Sequence, residues 1–287
     1  MTQAYAMTGP PRTRKVRAVH PGFRLTLGIT LVYLGLLVLL PMAAAVLKVL
    51  GLDWDTFWGL ATSERALAAY RISFGLSLAA ALVNLVMGTL TAWVLVRYRF
   101  PGRRLVDAMI DLPFALPTAV AGIALATLYA ENGWLGAWLA PLGIKVSFTP
   151  LGILVALVFI GLPFVVRTVQ PALQDLDRSL EEAAATLGAS RFQSLRWVVL
   201  RHIAPAALTG FTLAFSRAIG EYGSVIFIAG NIPFVSEIAP LLIVVHLEQF
   251  DYAGATVIAV AMLALSFLLL LLINLLQRFT PGRSRRH

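Results

Sequence analysis

Five stretches of this chain run for about twenty residues or more without a charged side chain, the length a helix needs to cross a bilayer. They are Leu25–Leu47, Ile72–Val96, Leu112–Ala130, Val146–Val166 and Tyr252–Gln277. In hydrocarbon every backbone polar group must be satisfied inside the segment, so an apolar run of this length folds as a helix. A sixth stretch, from about His202 to Ala229, is long enough but carries Arg217 and Glu221. A soluble domain is about one-quarter charged residues. This chain has 13%, too few to coat a core exposed to water. The expected fold is an all-α polytopic membrane protein with six transmembrane helices.

Leu25–Leu47 follows a basic segment and contains Ala43-Ala44-Ala45, features shared with secretory signals. Its apolar run exceeds the roughly 7–15 residues of a signal core, which favours a retained span. Residues 1–24 then read as a tail, 25–280 as the membrane domain and 281–287 as a second tail.

The net charge of +9 does not point to nucleic acid, because the basic residues sit in short patches between apolar runs. They are distributed on one side. The N-terminal segment, 97–104, 167–203 and the segment after 277 hold eighteen Lys and Arg, against Lys48, Arg65, Arg71 and Lys145 in the alternate set. Positive loops stay in the cytoplasm, so both termini are expected there. The chain has no cysteine, and His20, His202, His246 and His287 lack metal-ligand spacing. No phosphate-binding loop of the Gly-x-x-x-x-Gly-Lys type occurs, so no ATP site and no cofactor are expected in this chain.

The longest cytoplasmic loop is the most informative. Ser179 and Glu182 have the spacing of a capping box, Ala183 to Leu187 favour helix, and Gly188 suits the left-handed residue that ends one. Ser190 and Gln193 repeat the box, so a second helix is expected to lead past Trp197 and Ile203 into the fifth span.

This loop, spanning about 177–205, resembles the EAA loop of bacterial ABC importer permeases. Glu182, Ala183, Ala184 and Gly188 match its pattern in register, Val198 and Leu200 take its apolar positions, and Arg201 stands where Pro is usual. The stretches Asp111–Gly122 and Arg217–Asn231 are similar to segments of the sulfate and molybdate permeases, the second most of all to the T-type subunits of sulfate/thiosulfate importers. The resemblance implies a type I importer permease that works by alternating access. It would pair with a second, homologous permease as a heterodimer. Two copies of a cytoplasmic ATPase, which uses the ATP, and a periplasmic sulfate-binding protein would complete the importer. Glu182, Ala183, Ala184 and Gly188 would couple the ATPase to the passage. A molybdate or tungstate permease working as a homodimer is the nearest alternative. An intramembrane enzyme and a passive channel are more distant ones, disfavoured by the lack of a catalytic set at depth and by the capped coupling loop.

Residues of the pathway are sought where polar or helix-breaking groups enter apolar runs. Pro113 suits the first turn of a helix, whereas Pro117 lies beyond it and is expected to bend the third span. Arg217 and Glu221 are expected to share one helix face as an i, i+4 pair, with Gly220 and Gly223 allowing close approach of backbone to a neighbouring helix or an anion. Asp107 and Asp111 read as a solvated ion-pair face beside Arg103 and Arg104, and the segment after Gly230, with Glu237, Glu248 and Asp251, as an acidic solvated loop.

Overall fold

The structure is a computed structural model that describes residues 22–278. The two expected tails therefore lie almost wholly outside the described residues. The chain divides into two compact units, residues 1–50 and 51–287.

In the first unit, α1 (Phe23–Leu34), a π-helical turn (Gly35–Leu39) and α2 (Leu40–Leu50) form one apolar helix. Its leucines and isoleucines are exposed around the helix, as a lipid-facing span requires.

The second unit opens with α3 (Trp54–Ala61), a short helix carrying the aromatic cluster Trp54, Phe57 and Trp58. Ser63 then caps α4 (Glu64–Arg97), its side chain accepting from the Ala66 N–H. α5 (Arg103–Ile110), α6 (Leu112–Ala115), α7 (Thr118–Tyr129) and α8 (Gly136–Leu139) follow. The long α9 (Pro150–Gln174) leads to the pair α10 (Arg178–Thr186) and α11 (Arg191–Ser194). A π-helical turn (Leu195–Val199) continues into α12 (Leu200–Ile219). The short α13 (Val225–Ile228), α14 (Ala239–Glu248) and α15 (Tyr252–Arg278) complete the unit.

Among the described residues five helices are long and apolar enough to cross a membrane. They account for five of the six expected spans. The third is divided: α6 stops at Ala115, Leu116 and Pro117 are extended, and α7 starts afresh at Thr118. Pro117 removes a backbone donor, and its ring forces Leu116 out of helical geometry, so the helix is interrupted, not bent. Pro113 sits harmlessly in the first turn of α6. The fourth span begins at Pro150, four residues later than expected. The fifth ends at Ile219, ten residues early, because the Gly220–Ser224 segment leaves the helix.

α4, α9 and α12 pack on one another as the central trio. Small residues let them approach: a Cβ on Gly210 of α12 would lie 2.8 Å from the Val165 Cα of α9. Leu95, Val165, Val169, Leu173, Val199 and Ile203 fill the arginine-rich end of this trio. Ala80, Ile153, Leu157, Val225, Ile238 and Leu241 fill the opposite end.

Two expectations about acidic residues are corrected. Asp107 and Asp111 pair with Arg167 of α9, not with Arg103 and Arg104: the guanidinium contacts Asp107 at 2.7 Å and Asp111 at 2.6 Å. The clamp, with the edge-to-face contact of Phe114 and Phe164, ties the α5–α6 segment to α9. The segment after Gly230 is a solvated acidic stretch only in part: Glu248 is exposed and Asp251 partly so, but Glu237 is not. Glu237 turns inward and is 1% exposed, and its carboxylate receives both Nε and Nη2 of Arg65 at 2.8 and 2.7 Å. The Ala239 N–H bonds to the Ser73 hydroxyl at 2.8 Å, which fixes the start of α14 on α4. Removing Arg65 leaves a buried carboxylate without its counter-ion, a loss of about 3–5 kcal/mol in a dry site. Arg65 is partly exposed, so Arg65→Gln should cost about 2 kcal/mol. The expected result is a lower thermal midpoint in detergent that Arg65→Gln combined with Glu237→Gln restores.

Candidate functional site

Two places bring the sequence-predicted residues together. The first is the loop at the arginine-rich end. Asp177 caps α10, its carboxylate accepting from the Ser179 N–H at 2.9 Å. That backbone bond, helped by the Ser179 side chain, holds the Asp177 carboxyl below the usual carboxylate range. The expected Ser179–Glu182 box is therefore replaced by a cap two residues earlier, and Glu182 is left as an exposed side chain.

The end of α10 explains the position of the glycine. Gly188 has φ +85°, the Gly188 N–H bonds to the Ala185 carbonyl, and the Ala189 N–H bonds to the Ala184 carbonyl, each at 3.0 Å. This is a Schellman stop, which takes glycine at the left-handed position because a Cβ is penalised there. Ser190 and Gln193 then form the expected reciprocal box, with bonds of 3.3 and 2.7 Å. No residue of α10 is buried, and Leu187 at its tip is 88% exposed. Sequence reading missed Leu187; its signal is a leucine placed directly before the glycine turn of a polar, alanine-rich helix.

The second place lies within the bundle. Ala214 of α12 sits beside Gly161 of α9 and Asn84, which lies midway along α4. Arg217 is one turn further on, toward the end away from the arginine-rich loops. α12 then ends, and Glu221 lies beyond it, so the pair does not share a helix face as expected. Glu221 is 2% exposed. One carboxylate oxygen accepts from the Ser224 N–H at 2.9 Å and from the Ser224 hydroxyl at 3.0 Å. The other pairs with the guanidinium of Arg217, whose side chain is 37% exposed. The arrangement buries the anion and leaves the cation facing open space. Arg217 also stands in the last turn of α12, where the helix dipole favours a cation.

The interrupted third span meets this turn. A Cβ on Gly223 would lie 2.2 Å from the Thr118 hydroxyl, so glycine is needed for the turn to rest on the start of α7. No atom lies within 4 Å of a Cβ at Gly220, so the expected close approach there is absent among the described residues. Helix geometry leaves the first N–H groups of α7 without acceptors in the helix, at the break made by Pro117. A cavity of about 10 Å³, room for about one water, is lined by Ser73, Ser77 and Glu221. These two serines were not singled out in the sequence, although they are the polar residues spaced four apart in the outer part of α4.

Residues 84–286 match the family described as binding-protein-dependent transport system inner membrane component. The sulfate transport system permease protein CysT of Synechocystis sp. is 55% identical over 251 residues, 88% of each chain. Its counterpart from Escherichia coli is 51% identical over 261 residues, 91% of this chain and 94% of that one. Among solved structures, a bacterial ABC transporter that imports the acidic polysaccharide alginate aligns with a TM-score of 0.76 at 17% identity, over 90% of this chain and 96% of that one. That likeness supports the fold and nothing finer. With the family model matching residues 84–286 and identity above 50% along nearly the whole chain, this protein belongs to the inner-membrane components of binding-protein-dependent transport systems, in the branch of the sulfate transport system permeases: a multi-pass permease subunit, not an enzyme.

Proposed function

We propose that this chain forms half of the membrane passage of an ATP-driven importer for sulfate and thiosulfate. It pairs with a homologous permease, and the importer is completed by two copies of a cytoplasmic ATPase and a periplasmic sulfate-binding protein. The observation that carries this reading is the 51–55% identity to sulfate permeases over 87% or more of the chain. The arginine-rich end faces the cytoplasm, with both termini, because positive loops are retained there. Glu182, Ala183, Ala184 and Gly188 then present α10 to the ATPase, with Leu187 as the apolar contact.

The oxyanion path passes Pro117, Arg217, Gly220, Glu221 and Gly223. Broken helices with free N–H groups near the bilayer midplane are the usual device for holding an anion in a transporter. The half-exposed guanidinium adds one positive charge. Glu221 cancels part of that charge, which suits a passage that must release its cargo as well as admit it. Energy reaches the path only as different contacts in two states of the complex.

Two measurements test this reading. A host lacking its own T-type sulfate permease should regain uptake of radiolabelled sulfate when given this chain with its cognate partners; uptake of molybdate alone would assign the other oxyanion branch. Alkaline phosphatase fused after Arg104 or after Arg286 should be inactive. High activity at either fusion would reverse the sidedness.

A further inference from the structure

α10 carries no buried side chain, yet a coupling element must be fastened to what it moves. It is joined through α11 and the π-helical turn to α12, which bears Arg217. It has a second attachment. Arg97, the last residue of α4, donates from Nη2 to a Glu181 carboxylate oxygen at 2.5 Å. The Arg97 side chain is only 12% exposed, and its guanidinium lies over the Trp93 ring of the same helix, 5.6 Å from the centroid. Stacking of this kind pre-orients the planar fork, so the contact is aimed by α4 itself.

The surroundings show that this ion pair is not a by-product of packing. A cleft of about 500 Å³ separates the two coupling helices from the end of α4, with Trp93 and Tyr98 on one side and Ala185, Ala189 and Ser194 on the other. Among the described residues, Arg97–Glu181 is the ion pair that bridges it.

We propose that Arg97 and Glu181 are positioning residues for energy coupling: they yoke α10 to α4 so that a push on the loop moves α4 and α12 together. α12 carries Arg217 and α4 carries Ser73 and Ser77, which line the cavity beside Glu221. Both walls around the buried carboxylate thus receive the same displacement. Without the yoke, the push enters α12 alone. Because the π-helical turn lies between α11 and α12, part of the motion is absorbed there instead of reaching Arg217.

The inference rests on the coupling reading of α10 given above, and the test separates the two. In the reconstituted importer, Arg97→Gln and Glu181→Gln should each lower sulfate moved per ATP hydrolysed by about tenfold, with assembly and basal ATP hydrolysis retained. The swap Arg97→Glu with Glu181→Arg should restore the ratio to within about threefold, which loss of folding would not allow. The chain has no cysteine, so Arg97→Cys with Glu181→Cys offers the only thiols in this subunit. Bridging them with a bis-methanethiosulfonate of ion-pair length, which forms reducible mixed disulfides, should preserve uptake if the two helices move as one body. Uptake lost on bridging and regained on reduction overturns the yoke. So does an unchanged transport ratio in both glutamine variants while Gly188→Val uncouples, a result that leaves the coupling loop standing. No effect of any of the three overturns both readings.

Discussion

Arg217→Gln should reduce sulfate uptake by at least about thirtyfold while the importer assembles in normal yield. Truncating one partner of a buried, hydrogen-bonded charge pair costs about 2–5 kcal/mol, and the upper end applies where the remaining charge is fully desolvated. Here the remaining charge is Glu221, 2% exposed, but Ser224 still donates two hydrogen bonds to it. That second set of partners keeps the turn folded, so the loss falls on transport. The guanidinium is a positive charge that the turn leaves partly exposed, and a dianion crossing hydrocarbon would have the greatest need of one. The double variant Arg217→Gln with Glu221→Gln is the deciding measurement. If the pair is only a brace, removing both charges relieves the buried carboxylate and uptake returns with yield. If Arg217 faces the path, the double variant assembles and remains inactive. Full transport by the double variant would refute the pathway role.

Gly188→Val should lower ATP-driven uptake by about tenfold or more and leave the subunit inserted in the membrane. At φ +85° a β-branched residue is strongly disfavoured, at a cost of about 1–3 kcal/mol. Among the described residues no atom lies within 4 Å of a Cβ placed on Gly188, so the penalty is backbone strain and not collision. Gly188→Asn should therefore retain most of the uptake, because Asn tolerates the left-handed region although it is larger than Ala. Val, by contrast, breaks the Schellman stop, and α10 loses the turn that ends it and sets its tip. Glu182→Lys should also uncouple, for a different reason from the one its spacing suggests. Glu182 closes no capping box in the structure, so the reversal acts on an exposed side chain and not on the helix cap. ATPase co-purification with sulfate uptake reads both variants; normal uptake in Gly188→Val and Glu182→Lys together would remove the loop from the coupling mechanism.

The apolar runs, the clustering of the arginines at one end and the two-helix form of the 177–205 loop were legible in the sequence because each depends on local chemistry. A charge-free run long enough to span folds as helix in hydrocarbon wherever no proline interrupts it. The Gly188 stop and the Ser190–Gln193 box close within a few residues and form as read, whereas the equally spaced Ser179–Glu182 pair yields the cap to Asp177. Partner choice was not legible in this way. Asp107 and Asp111 have arginines close by on the same chain segment, yet they reach Arg167, 60 and 56 residues distant. Glu237 reads as a loop acid until Arg65, 172 residues away, is placed beside it. Local spacing cannot show which distant helix end folding will deliver.

The same division runs through the candidate pathway. Residue order alone was enough to mark a membrane permease of the sulfate branch, to single out Arg217 and Glu221 as unusual charges at depth, and to show that Pro117 disturbs its helix. Three-dimensional packing was needed to establish that α12 ends before Glu221, that the carboxylate is buried while the guanidinium is not, and that Gly223 rests on Thr118. The cause lies in the solvent. In lipid an isolated charge or an open backbone group is too costly to stand alone. Where the helix stops, and which side chain is exposed, is therefore set by the neighbouring elements that satisfy those groups: Ser224 for the carboxylate, and the α7 break for the turn.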